Sequence, residues 1–292
     1  MLDSIIDYVG NPEFLVRLYQ ILLVLVVMIH TLFFFRSGLH FKKDTNYYFF
    51  PPFPFIRRLP TLMHNAILIL LPITGIIILS SYVPLVVIGC FLSAVFLFYL
   101  GFFCYSAWHH DIFLSVTIFF LSGMYFAFSQ PTIPNPFMTL IIFQMSVLYF
   151  FTGLSKLNSK LLKSRLFVEI LFQPYRKFFL RKQWLIQPFT SLIALSELFL
   201  GFAFWLPIIG LQKLGIIFGT LLHIGMVIMT GRGRTFHTML PAVYLLVILK
   251  NFGSYGNEIV WFILLILLPS LATFLFYSPY NLTVKEYSNY ET

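Results

Sequence analysis

Long runs of apolar residues alternate with short polar segments along almost the whole chain. About 20 consecutive apolar residues suffice for an α-helix to cross the hydrocarbon core of a bilayer, and clusters of proline and glycine separate the runs. The pattern predicts an all-α, polytopic membrane bundle with eight or nine transmembrane helices. The predicted spans are 14–35, 64–81, 84–107, 112–129, 138–156, 189–208, 212–230, 236–250 and 258–277.

Composition supports this fold class. The chain is 59% hydrophobic and 10% charged, whereas a soluble domain carries roughly 25% charged residues. Asp3, Asp7 and Glu13 are the only charged residues before the first span, so we expect no cleavable signal peptide, whose start is basic. We predict a multi-pass protein of the cell membrane with no soluble C-terminal domain.

The positive charge is concentrated in the polar segments. The net charge is +9, and basic residues cluster in 36–58 and in 156–182. Cations between apolar runs can meet anionic lipid headgroups, so we expect the bilayer, and not nucleic acid, to be their partner. The second segment is also rich in Leu and Phe, which predicts an amphipathic interfacial segment around 159–185. The distribution of Lys and Arg places both segments on the cytoplasmic side.

Five polar sites stand out in or near the apolar runs. They are His30, the pair His109-His110, Lys156, Glu197 and His223. We expect His30 to bond a neighbouring carbonyl group, because buried polar groups are normally hydrogen-bonded. The chain lacks the His-x-x-x-His and Glu-x-x-His spacings of a metal site, so no metal is predicted.

Glu197 lies in an apolar run with no basic residue within a dozen positions. A buried carboxyl group is either protonated or paired with a distant cation. Arg17, Lys156 and Arg234 are the candidate cations. A structural ion pair and a functional role are equally open for Glu197 at this point.

Lys156 ends one of the apolar runs, and Tyr149 and Thr152 precede it by seven and four residues. These three side chains share one face of a helix. If that face lines a protein cavity, desolvation favours a neutral amine that can act as a base. If it faces lipid, the lysine extends its amine to the interface instead. The residues alone leave both interpretations open.

Four stretches carry a family pattern, at 14–17, 49–60, 108–110 and 144–157. The sharpest is Tyr149 followed by Thr-Gly-Leu-Ser-Lys-Leu at 152–157. In this order they resemble the horizontally transferred transmembrane (HTTM) domain, the membrane part of vitamin K-dependent gamma-carboxylase. Glu197 and His223 occupy positions similar to an acidic residue and a His-bearing span of that family. The resemblance covers most of residues 10–250 and implies a single HTTM-like domain over 1–292.

The resemblance implies an enzyme of carboxylase or epoxidase type, a lyase or an oxidoreductase. Its substrate would be a quinol such as vitamin K hydroquinone, or another lipid-soluble or peptide substrate. By resemblance Lys156 is the base and His110 stabilises charged intermediates. The other residues expected to bind substrate or to have structural roles are Tyr149, Glu197, His223 and Arg17.

Two features depart from the family. The expected Trp-x-x-Gly after the Lys-Leu pair is absent. Only a short, mostly polar segment follows Tyr277, where the carboxylase has a large soluble C-terminal part. Standalone members of the family include a protein that assists maturation of a secreted bacterial peptide toxin. The alternative function is therefore non-enzymatic, with a small secreted peptide as partner. The carboxylase presents its chemistry to the lumenal side, whereas the charge distribution here places Lys156 near the cytoplasm.

Overall fold

A computed structural model describes residues 11–36, 61–104, 109–128, 136–157, 168, 171, 173–230, 234–251 and 255–269. All regular structure in these ranges is helical. The helices are α1 (Pro12–Arg36), α2 (Thr61–Ile78), α3 (Val83–Cys104), α4 (His109–Phe128), α5 (Pro136–Lys156), α6 (Gln173–Arg181), α7 (Ile186–Trp205), α8 (Ile209–Thr230), α9 (Arg234–Asn251) and α10 (Tyr255–Phe262). A 3-10 turn at Gln183–Leu185 precedes α7, and a π-helical stretch at Ile263–Leu267 follows α10.

The helices follow the hydropathy pattern closely. A helix begins within three residues of each of the nine predicted starts. Five segments are long and apolar enough to cross a membrane: Glu13–Leu32, Val83–Leu100, Pro136–Lys156, Gln183–Trp205 and Ile209–Thr230. Two further apolar helices, Asn65–Ile78 and Leu114–Phe128, are shorter. An all-helical bundle of membrane type is therefore confirmed, and the number of eight or nine crossings stays a prediction.

The chain forms two compact units. The first contains the described residues up to 141, and the second contains those from 142 to 269. Helices α1 to α4 belong to the first unit and α6 to α10 to the second, while α5 begins in the first and continues into the second. The single HTTM-like domain over 1–292 stays a prediction.

Hydrogen bonds between small polar side chains join the helices of the first unit. The hydroxyl of Tyr19 on α1 lies 2.7 Å from that of Ser122 on α4. The hydroxyl of Thr74 on α2 lies 2.6 Å from that of Ser93 on α3. Ser122 and Thr74 donate their protons to carbonyls of their own helices, so Tyr19 and Ser93 are the donors between helices. Each such bond contributes about 0.6 kcal/mol in a membrane bundle.

His30 also has a structural role in the first unit. Its Nδ1 lies 2.9 Å from the carbonyl oxygen of Val26, and because a carbonyl can only accept, Nδ1 is the donor. Its Nε2 lies 3.1 Å from the hydroxyl of Ser115 on α4. The expectation that His30 bonds a neighbouring carbonyl is confirmed.

Arg17 binds the end of α2. Its guanidinium donates to the carbonyl oxygens of Leu79 and Ser80 at 3.2 and 3.1 Å, and to the side-chain oxygen of Gln20 at 3.0 Å. The last carbonyls of a helix lack partners within the helix, and a cation is favourable there. The described contacts of Arg17 are therefore those of a structural residue.

Helix α9 is the enclosed helix of the second unit. Every residue from 240 to 248 is buried. Nine consecutive residues point to all sides of a helix, so α9 is covered all round in this stretch.

Two glycines bring α5 and α7 into backbone contact. A Cβ placed on Gly153 of α5 would lie 2.7 Å from the carbonyl oxygen of Ala194 and 2.8 Å from the amide nitrogen of Leu198. A Cβ on Gly201 of α7 would lie 2.9 Å from the amide nitrogen of Phe150 on α5. Small residues permit this close approach in membrane bundles. This crossing fixes the position of α5 along α7.

The crossing predicts that Gly153→Ala destabilises the protein by about 1–3 kcal/mol, the usual cost of overpacking. The two nearest atoms that the new methyl group would meet belong to the α7 backbone, which cannot rotate aside. Gly225→Ala in α8 is the matched control, because nothing lies within 4 Å of its Cβ position. Thermal unfolding of both variants in one detergent measures the difference, and equal melting temperatures would contradict the crossing.

Candidate functional site

An ion pair joins the end of α5 to the middle of α7. The ammonium group of Lys156, the last residue of α5, donates to Oε1 of Glu197. Glu197 is the twelfth of the 20 residues of α7. The Lys156 side chain is 31% exposed and that of Glu197 is 9% exposed. The lysine covers the carboxylate on one side and keeps part of its own surface uncovered by protein.

The register of the two helices places this pair far from the start of α7. Besides the glycine contacts, the rings of Phe143 and Trp205 lie 5.0 Å apart between centroids, which aligns α5 and α7 as antiparallel neighbours. Glu197 lies eleven residues after Ile186, which corresponds to about 16 Å along a helix. This distance is close to half of a hydrocarbon core about 30 Å thick. The ammonium of Lys156 therefore meets α7 near the middle of the span.

Lys156 is the cation that Glu197 requires. Arg17, the second candidate from the sequence, bonds the end of α2, and the side chain of Arg234, the third, lies outside the described residues. A charged group in an apolar span is costly unless it is paired. The ion pair lowers the free-energy cost of burying both charges. Lys156 is therefore the partner that the sequence led us to expect for Glu197.

A second polar contact lies two turns earlier on α5. The hydroxyl of Tyr149 lies 2.8 Å from Nε2 of His223 on α8, and the two ring centroids are 5.7 Å apart. Phe204 of α7 packs on Tyr149 at 6.1 Å between centroids. Tyr149 is buried. The structure thus brings together four of the residues singled out in the sequence: Tyr149, Lys156, Glu197 and His223.

Thr152 does not extend this polar face into the site. Its hydroxyl donates to the carbonyl oxygen of Leu148 at 2.6 Å, within α5. The helical spacing places Thr152 near the face of Tyr149 and Lys156, but threonine in a helix readily bonds the carbonyl four residues earlier. The polar face therefore consists of two separate contacts, one at Tyr149 and one at Lys156.

Tyr244 of α9 is a residue of the site that sequence reasoning missed. Its ring lies 5.5 Å from that of Phe204 between centroids, and Phe204 also packs on Tyr149. The Tyr244 hydroxyl occupies the space where a side chain on Gly219 of α8 would begin. The available signal was a single tyrosine inside the apolar run 236–250, since a buried tyrosine hydroxyl normally has a polar neighbour.

The prediction for His110 stays a prediction. His109 and His110 begin α4 in the first unit, and their side chains lie outside the described ones. No group of three or more His, Cys, Asp or Glu residues that could hold a metal ion occurs among the described residues.

Comparisons with models of protein families, with curated proteins and with solved structures find no match for this chain. The resemblance to the HTTM domain therefore stays a prediction, and the geometry of the site is the main support for a functional proposal.

The ion pair predicts that removing one of its members costs more than removing both. Lys156→Met leaves the carboxylate without its ammonium, Glu197→Leu leaves the ammonium without its carboxylate, and breaking a buried pair costs about 3–5 kcal/mol. The double variant carries neither charge, so we expect it to recover most of the loss. Thermal unfolding of the parent and the three variants completes the double-mutant cycle, and additive losses would argue against the pair.

Proposed function

We propose that this protein is an integral membrane enzyme of carboxylase-like type, in which Lys156 acts as a base on a quinol or another lipid-soluble or peptide substrate. The observation that carries the proposal is the Lys156–Glu197 ion pair at mid-height of an apolar helix. Ionisable residues at such depth are rare, and they usually mark substrate or proton pathways.

The pair can supply the neutral amine that a base requires. A proton can move from the ammonium of Lys156 to the carboxylate of Glu197 along their hydrogen bond. The products are an uncharged amine and an uncharged acid. The amine can then accept a proton from a substrate hydroxyl group. The ammonium that results would stabilise the negative charge left on the substrate oxygen.

Access and shape support a lipid-soluble substrate. Close to one third of the Lys156 side chain is not covered by protein, so a molecule arriving from the apolar surroundings can reach it. A quinol would supply a hydroxyl group to be deprotonated and a flat ring. Aromatic residues make up 20% of the chain, and their side chains offer flat surfaces of the kind on which a ring packs. By resemblance, His110 is the further residue proposed to stabilise charge.

The variant Lys156→Arg tests the base directly. Arginine keeps the positive charge and can still pair with Glu197, but it does not give up its proton. We expect the variant to fold as the parent does and to lose about 10²–10⁴-fold in turnover, the usual contribution of a general base. Lys213→Arg on α8 is the matched control, and Lys156→Ala should lose turnover as well.

The measurement is the conversion of vitamin K hydroquinone by the purified protein in lipid nanodiscs, followed by chromatography of the products. Parent-level turnover by Lys156→Arg would rule out the lysine as base. No turnover by the parent, together with a small peptide that co-purifies with it, would favour the alternative function in maturation of a secreted peptide.

A further inference from the structure

Helix α6 folds back against the end of the second unit that contains the start of α7. The rings of Phe179 on α6 and Phe189 on α7 lie 5.1 Å apart between centroids, although ten residues of one continuous helix would separate them by about 15 Å. The chain bends at Lys182, whose backbone angles, φ −119° and ψ 58°, are not helical. A separate helix of nine residues therefore packs beside the first turn of α7.

One face of α6 is anchored in protein. Phe179 is buried in a hydrophobic cluster with Val168, Leu171 and Ile186. Met229, the second-last residue of α8, packs against the same cluster. The hydrophobic cluster around Phe179 therefore contacts the first turn of α7 and the last turn of α8. This places α6 at the end of the second unit where α7 begins and α8 ends.

The rest of α6 and the turn after it combine cations with aromatic rings. Lys177 and Arg181 are four residues apart, so they share one side of the helix, and both are exposed, as is Lys182. Phe178 is 52% exposed and Trp184 is 71% exposed. Tryptophan is enriched at the level of lipid headgroups, and cations beside it attract anionic lipids.

We propose that Lys177, Arg181 and Lys182, together with Trp184, form a binding site for the phosphate-bearing headgroup of anionic phospholipids. Three positive charges lie within six residues, and the anchoring of Phe179 holds them at the end of two spans. Phe178 enters the apolar part of the same lipid, Trp184 lies at the level of its headgroup, and the cations bind its phosphate. This site is independent of the proposed enzymatic function.

Quenching of Trp184 fluorescence by brominated lipids tests the site. The other three tryptophans are replaced in the full chain (Trp108→Phe, Trp205→Phe and Trp261→Phe), so that only Trp184 reports. The protein in detergent is titrated with brominated phosphatidylglycerol or with brominated phosphatidylcholine. Each cation at an anionic surface changes binding by about fivefold. We therefore expect phosphatidylglycerol to reach half-maximal quenching at a concentration at least about fivefold lower than phosphatidylcholine does.

The triple variant Lys177→Gln/Arg181→Gln/Lys182→Gln should lose this preference. Lys213→Gln removes an exposed cation of α8 that lies about 24 Å along the helix from Met229, and it should keep the preference. Equal quenching by the two lipids in the parent would overturn the proposal, and so would a preference that survives in the triple variant. Inorganic phosphate should not relieve the quenching; if it does, the site binds free phosphate and the proposal fails.

Discussion

The second unit depends on the pairing of one carboxyl group with one amine inside an apolar helix. Glu197 cannot stay charged at mid-height of α7 without a cation, and α7 offers none. The cation comes from α5, and it reaches Glu197 only because Gly153 and Gly201 allow the two backbones to touch. A larger residue at either glycine would separate the helices and leave the carboxylate unpaired. Steric fit and charge pairing therefore support each other at this crossing.

The same packing explains why the site consists of two separate polar contacts, Lys156–Glu197 and Tyr149–His223. Tyr149 and Lys156 are two helical turns apart on α5, about 10 Å along the axis, and each meets a different helix. The lysine reaches Glu197 on α7, whereas the tyrosine reaches His223 on α8. The two polar contacts are therefore separate along α5.

The sequence predicted the helices well and the site only in part. Hydropathy located a helix at each of the nine predicted starts, because long apolar runs have few structural alternatives in a membrane. Local reasoning also sufficed for His30, whose carbonyl partner lies one turn away on its own helix. Local reasoning could not select Lys156 among the three candidate cations for Glu197, because that choice depends on the register of α5 against α7. Glycine contacts set this register, and the glycines alone do not show which residues of the other helix they meet. Tyr244 was missed although a single tyrosine inside an apolar run was an available signal.

The position of α6 constrains the depth of the ion pair. Trp184 precedes Glu197 by thirteen residues, of which the last twelve belong to α7. If Trp184 lies among the headgroups, as its exposure beside three cations favours, Glu197 lies about 16–20 Å deeper. While its ammonium is held at Glu197, Lys156 then keeps its charge away from the headgroups on this side. Snorkelling, which the sequence left open, would require the lysine to leave Glu197, and the carboxylate would then lack its ammonium at that depth.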